Sequence, residues 1–183
     1  MGRSAEWHQQ GVGLDNTCGG PWPRTYGEMM EIADLLTPGA VLPKLAVSSK
    51  KQALQELSKT AASLTGLNER TIFDTLLERE HLGTTGVGNG IAIPHGKPAG
   101  LDRLYGVFAR LEKPIDFDSL DEQPVDLIFL LLAPESAGAD HLKALARISR
   151  MLRNPAICEK LRGSDSRDAL FALLVDTTKS HAA

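Results

Sequence analysis

Val125-Asp126-Leu127-Ile128-Phe129-Leu130-Leu131-Leu132-Ala133 is a nine-residue run whose only charged member is Asp126. It is far short of the roughly 20 apolar residues needed to cross a bilayer. Rich in β-compatible side chains, it reads as a strand buried on both faces of a sheet, which requires helices or other layers above and below it. That reading sets the fold class.

Upstream, Leu104 to Leu111 is a second β-rich run, and Pro114-Ile115-Asp116-Phe117 between the two is read as a short edge segment. Val41 to Val47 reads as a further strand. Ser48 or Ser49 can cap a helix whose apolar face is Ala53, Leu54, Leu57 and Ala61, ended by Gly66. Asn68 can cap the next helix, with Ile72, Leu76 and Leu77 inside, a stop near Gly83, and Arg79 and His81 in its last turn. Downstream, helices are expected over Asp140 to Arg153, Pro155 to Leu161 and Ser166 to Val175. Strands and helices interleave, so the expectation is an α/β fold: a single-domain sandwich of a mixed β-sheet with helices on both faces.

At 183 residues and 42% hydrophobic content the chain can bury one proper core. Residues 1–29 are polar and rich in glycine and proline without helical or strand period, and read as a disordered leader or tag-like extension. The domain is expected over 30–177, with Met30 a candidate biological start, and 178–183 as a tail. Formal net charge is −3, and no lysine or arginine run forms a stripe suited to DNA or an anionic membrane, which argues against nucleic acid and membrane insertion. The amino end lacks the apolar core of a secretory signal, so a cytoplasmic protein is expected. Cys18 and Cys158 are too few for a disulfide framework and lack zinc-site spacing.

The segment that carries chemistry is Thr84-Thr85-Gly86-Val87-Gly88-Asn89-Gly90-Ile91-Ala92-Ile93-Pro94-His95-Gly96-Lys97. It is read as a glycine-rich loop joined to a short apolar strand that presents His95 at its end. Glycines let a backbone approach a bulky anion and turn N–H groups toward it, so Gly86, Gly88, Asn89, Gly90 and Gly96 are candidate phosphate-loop positions. The segment has no Gly-Lys-Ser/Thr ending for a P-loop, and its glycines lead into a strand rather than opening a helix as a dinucleotide fingerprint requires. From spacing alone two readings of His95 stand: a histidine that meets phosphate, and a strand-end histidine satisfied by a backbone carbonyl.

The run from Thr85 to Gly96 resembles the phosphorylation-site signature of the fructose/mannitol-type (type 2) enzyme IIA of the bacterial phosphotransferase system. The similarity extends from about Met30 to Asp176, takes in Gln123 to Phe129 and His141 to Leu145, and is closest to the nitrogen-regulatory branch. The resemblance implies that His95 accepts a phosphoryl group on Nε2 from the phosphohistidine of an HPr-like carrier protein. It assigns the family's arginine to Arg79, where a planar guanidinium can meet two phosphoryl oxygens, and the second active-site histidine to His141 in the first turn of a helix. It also implies an output read by regulatory targets such as potassium-transport proteins or sensor kinases, with transfer to an enzyme IIB for fructose or mannitol uptake as the alternative. No cofactor or metal is implied. His81, His95 and His141 could be imagined as a three-ligand metal site, but no HExxH-like pair places two of them on one face.

His81 is read as a solvated helix-end residue, His8 and His181 as tail residues, and Trp7 and Trp22 carry no assignment. Asp116, Asp118, Asp121, Glu122 and Asp126 form an acidic neighbourhood for which turn-forming and solvated-face roles are expected, Asp126 being the least settled.

Overall fold

A computed structural model describes residues 30–176. The expectations for 1–29 and for the tail, including Trp7, Trp22, His8, His181 and Cys18, lie outside the described residues. In chain order the elements are α1 (Ile32–Leu35), a 3-10 turn (Pro38–Ala40), β1 (Val41–Leu45), α2 (Lys50–Thr65), α3 (Glu69–His81), β2 (Gly86–Gly88), β3 (Ile91–Ala92), β4 (His95–Gly96), β5 (Tyr105–Ile115), β6 (Val125–Leu132), α4 (Ala139–Leu152), α5 (Pro155–Arg162) and α6 (Arg167–Asp176).

The sheet is mixed, with strand order β1-β5-β6-β3-β2 and β4 also paired to β6. β5 and β6 are antiparallel, whereas β1 runs parallel to β5, and β3 and β4 run parallel to β6. β6 therefore has neighbours on both sides, and Leu127 to Leu132 are fully buried, as its composition demands. Helix α2 packs on β5 and on α3, while α4, α5 and α6 form a chain of contacts that includes α1 and reaches β1. The sandwich of a mixed sheet between two groups of helices is the architecture the sequence implies.

Local chemistry explains the helix ends. The Ser49 hydroxyl accepts the Gln52 N–H and caps α2, and the Gln52 side chain in turn accepts the Ser48 N–H. Between the two candidate serines, Ser49 is the cap. Gly66 closes α2 in the left-handed conformation (φ 74°), donating its N–H to the Ala62 carbonyl. Asn68 Oδ1 accepts the Arg70 N–H at 2.8 Å and starts α3.

One expectation is corrected. Pro114 and Ile115 are not a separate edge segment but the end of β5, which continues through a register shift between Arg110 and Ile115 until Ile115 faces Val125. A proline is tolerated there because the shift removes its residue from the ladder. β5 itself lies inside the sheet, and Phe117 beyond it is fully buried, with the Lys50 ammonium 5.0 Å from its ring centroid.

Candidate functional site

His95 is placed by β6. The Leu131 N–H donates to the Pro94 carbonyl and the Ala133 N–H to the Gly96 carbonyl, each at 3.0 Å, so the histidine sits at the end of the strand ladder. Gly96 allows the next step. A Cβ there would stand 2.9 Å from Thr75 Cγ2, so the missing side chain lets α3 lie directly on β4. Four residues on from Thr75, and hence on the same helix face, Arg79 reaches His95.

The imidazole is held at both nitrogens. Its Nδ1 is 2.9 Å from the Ile93 carbonyl, and its Nε2 accepts the Arg79 Nε–H at 3.0 Å. An oxygen acceptor at Nδ1 and a donor at Nε2 together define the Nδ1–H tautomer, with the Nε2 lone pair directed at the guanidinium. Burial pushes the His95 pKa below the usual histidine range, and the Arg79 charge acts in the same direction; the Ile93 carbonyl and the Glu80 carboxylate oppose it without reversing it. The ring is therefore neutral at pH 7. Of the two readings of His95, the backbone carbonyl expected of a strand-end histidine is present at Nδ1, while Nε2 faces Arg79.

His141 lies in the first turn of α4 and is 9% exposed. Its ring centroid is 5.7 Å from that of His95, tilted by 53°. Its Nε2 is buried and makes no hydrogen bond among the described residues. Burial lowers its pKa, with His95 and Lys97 adding to the effect, so it too is neutral. Arg79 also donates from Nη1 to the Gly83 carbonyl at 3.0 Å, a second anchor for the guanidinium beside His95. The structure thus brings Arg79, His95 and His141 to one point, while His81 is exposed at the end of α3.

The glycine-rich stretch is differently built from the expected loop. Gly86 to Ala92 is a tight hairpin, with Gly88 facing Ile91 and positive φ at both central residues, Asn89 (56°) and Gly90 (77°), as a two-residue turn of this type requires. β3 meets β6 at Leu127, four positions before His95 meets it at Leu131, which puts the turn about 13 Å from the histidine. The turn is not brought to His95. Its contacts are a carboxylate and ion-pair clamp: the Asn89 N–H donates to Asp121, and Arg162 donates to the Asn89 carbonyl and to both oxygens of Asp126. A Cβ at Gly86 would stand 2.4 Å from Ser119 Oγ and one at Gly90 2.7 Å from Arg162 Nη2, so these glycines serve close packing. Gly96 alone of the five loop positions adjoins the histidine.

Asp126, the least settled acidic residue, is thereby the ion-pair partner of Arg162. Asp116 and Asp121 accept backbone N–H groups within their own turns, matching the turn-forming role expected of them, and Asp118 pairs with Lys50. Sequence reasoning missed Glu80. This carboxylate follows Arg79, is 7% exposed, and accepts the Thr85 N–H (2.9 Å), the Thr85 hydroxyl (2.6 Å) and the Lys50 ammonium (2.8 Å). Its signal was an acidic side chain in the last turn of a helix, where the dipole disfavours it.

Comparison with known proteins supplies the context for this geometry. The model of the family described as "Phosphoenolpyruvate-dependent sugar phosphotransferase system, EIIA 2" matches residues 34–176. A nitrogen regulatory protein of Bradyrhizobium diazoefficiens is 63% identical over 145 residues, spanning 79% of this chain and 95% of that protein. A fructose-specific EIIA component of Haloferax volcanii is 36% identical over 133 residues, 72% of this chain and 86% of that one. Among solved structures, the nitrogen regulatory protein IIA-Ntr of Neisseria meningitidis superposes with a TM-score of 0.75 at 36% identity, covering 78% of this chain and 98% of that chain.

Proposed function

The chain belongs to the phosphoenolpyruvate-dependent sugar phosphotransferase system EIIA 2 family, and from that premise we propose that it is a regulatory phosphoryl carrier whose acceptor is Nε2 of His95. The observation that carries this reading is the paired restraint on the imidazole, Nδ1 at the Ile93 carbonyl and Nε2 at the Arg79 Nε–H.

The donor is the phosphohistidine of a small HPr-like carrier protein. The Nε2 lone pair of His95 attacks phosphorus in line, the donor's P–N bond breaks, and its electron pair returns to the donor ring. One P–N bond replaces another, so positioning and charge stabilisation suffice. Arg79 moves from Nε2 to the phosphoryl oxygens, and His141 turns its Nε2 toward a third. Positive charge develops on the His95 ring as its Nδ1–H is retained, and the Ile93 carbonyl accepts that proton's hydrogen bond throughout. Leu82, three residues beyond Arg79 at the end of α3, and Leu142, next to His141, are exposed apolar side chains suited to a small, transient carrier contact.

Phosphorylation adds about −1.5 to −2 charge at this surface. Regulatory targets such as potassium-transport proteins or sensor kinases would read that change, in keeping with relatives named as nitrogen regulatory proteins. The fructose-specific relative favours a second reading, in which the phosphoryl group passes on to an enzyme IIB.

The test is phosphoryl transfer from phosphoenolpyruvate through enzyme I and the carrier, followed by intact mass. Acid-labile labelling of about 80 Da that disappears in His95→Ala is expected, and an unlabelled wild type with cognate carriers would overturn the reading. Onward transfer to a purified enzyme IIB separates uptake from regulation.

A further inference from the structure

Behind His95 runs an unbroken series of hydrogen bonds. The Lys50 ammonium meets Glu80 Oε1 at 2.8 Å. Glu80 accepts both the backbone N–H and the hydroxyl of Thr85. The Thr85 carbonyl accepts the Ile93 N–H at 2.9 Å, and the Ile93 carbonyl stands 2.9 Å from Nδ1 of His95. Every member between Lys50 and His95 is buried: Glu80 is 7% exposed, Thr85 4% and Ile93 3%.

A carboxylate in this place is costly. It is taken out of water at the carbonyl end of α3, where the helix dipole opposes a negative charge. Burial works to raise its pKa, yet the hydrogen bonds from Lys50 and Thr85 outweigh burial and keep it below the ordinary carboxylate value, so it is ionised. Its three donors hold Thr85 in register with Ile93, and that pairing aims the Ile93 carbonyl. Pro94 contributes by fixing the backbone between the carbonyl and the histidine.

We propose that Glu80 is a positioning residue for phosphoryl acceptance, holding His95 in its Nδ1–H tautomer through Thr85 and Ile93, with Lys50 as the counter-ion that keeps the carboxylate charged. The inference rests on His95 being the acceptor. Two consequences follow for the reaction: the Nε2 lone pair is committed to the donor side, and a negative charge stands behind the ring as positive charge develops on it. The other charged or titratable groups at the ring are Arg79, which donates to Nε2, and His141, whose ring centroid lies 5.7 Å away and on which Lys97 acts in turn.

The experiment is 15N-detected NMR of the imidazoles in unphosphorylated protein, with single-turnover phosphorylation by pre-phosphorylated carrier, for wild type, Glu80→Gln and Glu80→Ala. Wild type is expected to show the His95 nitrogen shifts of a single Nδ1–H tautomer. Glu80→Gln keeps the shape and removes the charge; its His95 should titrate lower than wild type, because Glu80 favours the charged ring. Glu80→Ala should mix the tautomers. In both, the transfer rate constant is expected to fall on the order of tenfold to a hundredfold with the half-saturating carrier concentration unchanged. A Glu80→Ala protein that keeps wild-type His95 shifts overturns the proposal. Should that variant fail to fold, an unaltered His95 titration in Glu80→Gln overturns it. A wild type unlabelled at His95 would defeat the carrier function, while the tautomer shifts would still judge the role of Glu80.

Discussion

The Nε–H of Arg79 donates to Nε2 of His95 at 3.0 Å, so the guanidinium rests on the lone pair through which the histidine would attack. Arg79 keeps a second hold on the Gly83 carbonyl. The side chain can therefore pivot about its helix-end anchor, trading one nitrogen of the imidazole for two oxygens of an incoming phosphoryl group. A lysine has the charge for this but not the planar fork.

Arg79→Lys is accordingly expected to slow phosphoryl acceptance by about a hundredfold, the usual order for losing one preorganised donor at a developing oxyanion. Arg79→Gln should in addition raise the His95 titration midpoint, because the arginine charge is one of the forces that lowers it. Single-turnover labelling by mass and an NMR titration read the two effects. An Arg79→Lys variant as fast as wild type would show that charge without geometry is enough.

His95 and His141 both have folded-state pKa values below the ordinary histidine value, chiefly through burial. The neutral His95 ring, the form the proposed acceptor needs, therefore persists to lower pH than a free imidazole would allow. With pre-phosphorylated carrier supplied at each pH, the acceptance rate should stay level from pH 8 past about 6.5 and fall only below it. The same shifts carry a stability consequence. Their contribution is fully present above the unfolded pKa and is lost as pH falls through the lowered folded values, because the unfolded chain then binds protons that the fold resists. Urea unfolding at pH 7.5 and 5.0 should show this loss, and His141→Gln should reduce it.

Much of this arrangement was legible in the sequence, and the exceptions have physical causes. The buried strand Val125–Leu132 announces itself by composition, and the caps at Ser49 and Asn68 by residue type. Arg79, His95 and His141 were named together only through family resemblance, since nothing local says that a helix end and a distant first turn meet at one histidine. The β2–β3 hairpin was missed although Asn89-Gly90 is a strong turn signal. Its strands are only three and two residues long, too short for alternation to register, and three glycines in five positions read as a loop. Glu80 was invisible because its meaning depends on Thr85 and Lys50, one across a turn and the other on another helix.

His141 should prove a donor to the phosphoryl group and not a nucleophile. Its buried Nε2 has no hydrogen-bond partner among the described residues, and its ring lies beside that of His95. His141→Ala is expected to slow acceptance on the order of tenfold, while His141→Gln, which retains an N–H donor, should recover part of that loss. Labelling should remain at a single histidine, located by tandem mass spectrometry of the His95 peptide. Transfer of the label to His141 in wild type would refute this division of roles.

The hairpin supplies the last test, because its two readings differ in outcome. If Asn89 and Gly90 cradle phosphate, disturbing the turn should damage phosphoryl acceptance directly. If they are a packing clamp, the damage should fall on stability. Gly90 has φ 77°, and a Cβ on it would stand 2.7 Å from Arg162 Nη2 and 2.8 Å from Asp126 Oδ1, so alanine there brings both backbone strain and a clash with the ion pair. Gly90→Ala is expected to lower stability by about 1–3 kcal/mol, read as a fall in the denaturant midpoint. The folded fraction should still accept a phosphoryl group at His95 at the wild-type rate, because the turn lies about 13 Å along the sheet from the acceptor. Loss of labelling with the midpoint unchanged would return the glycines to a phosphate-binding role, and the clamp of Asp121, Asp126 and Arg162 would then be the support of that role.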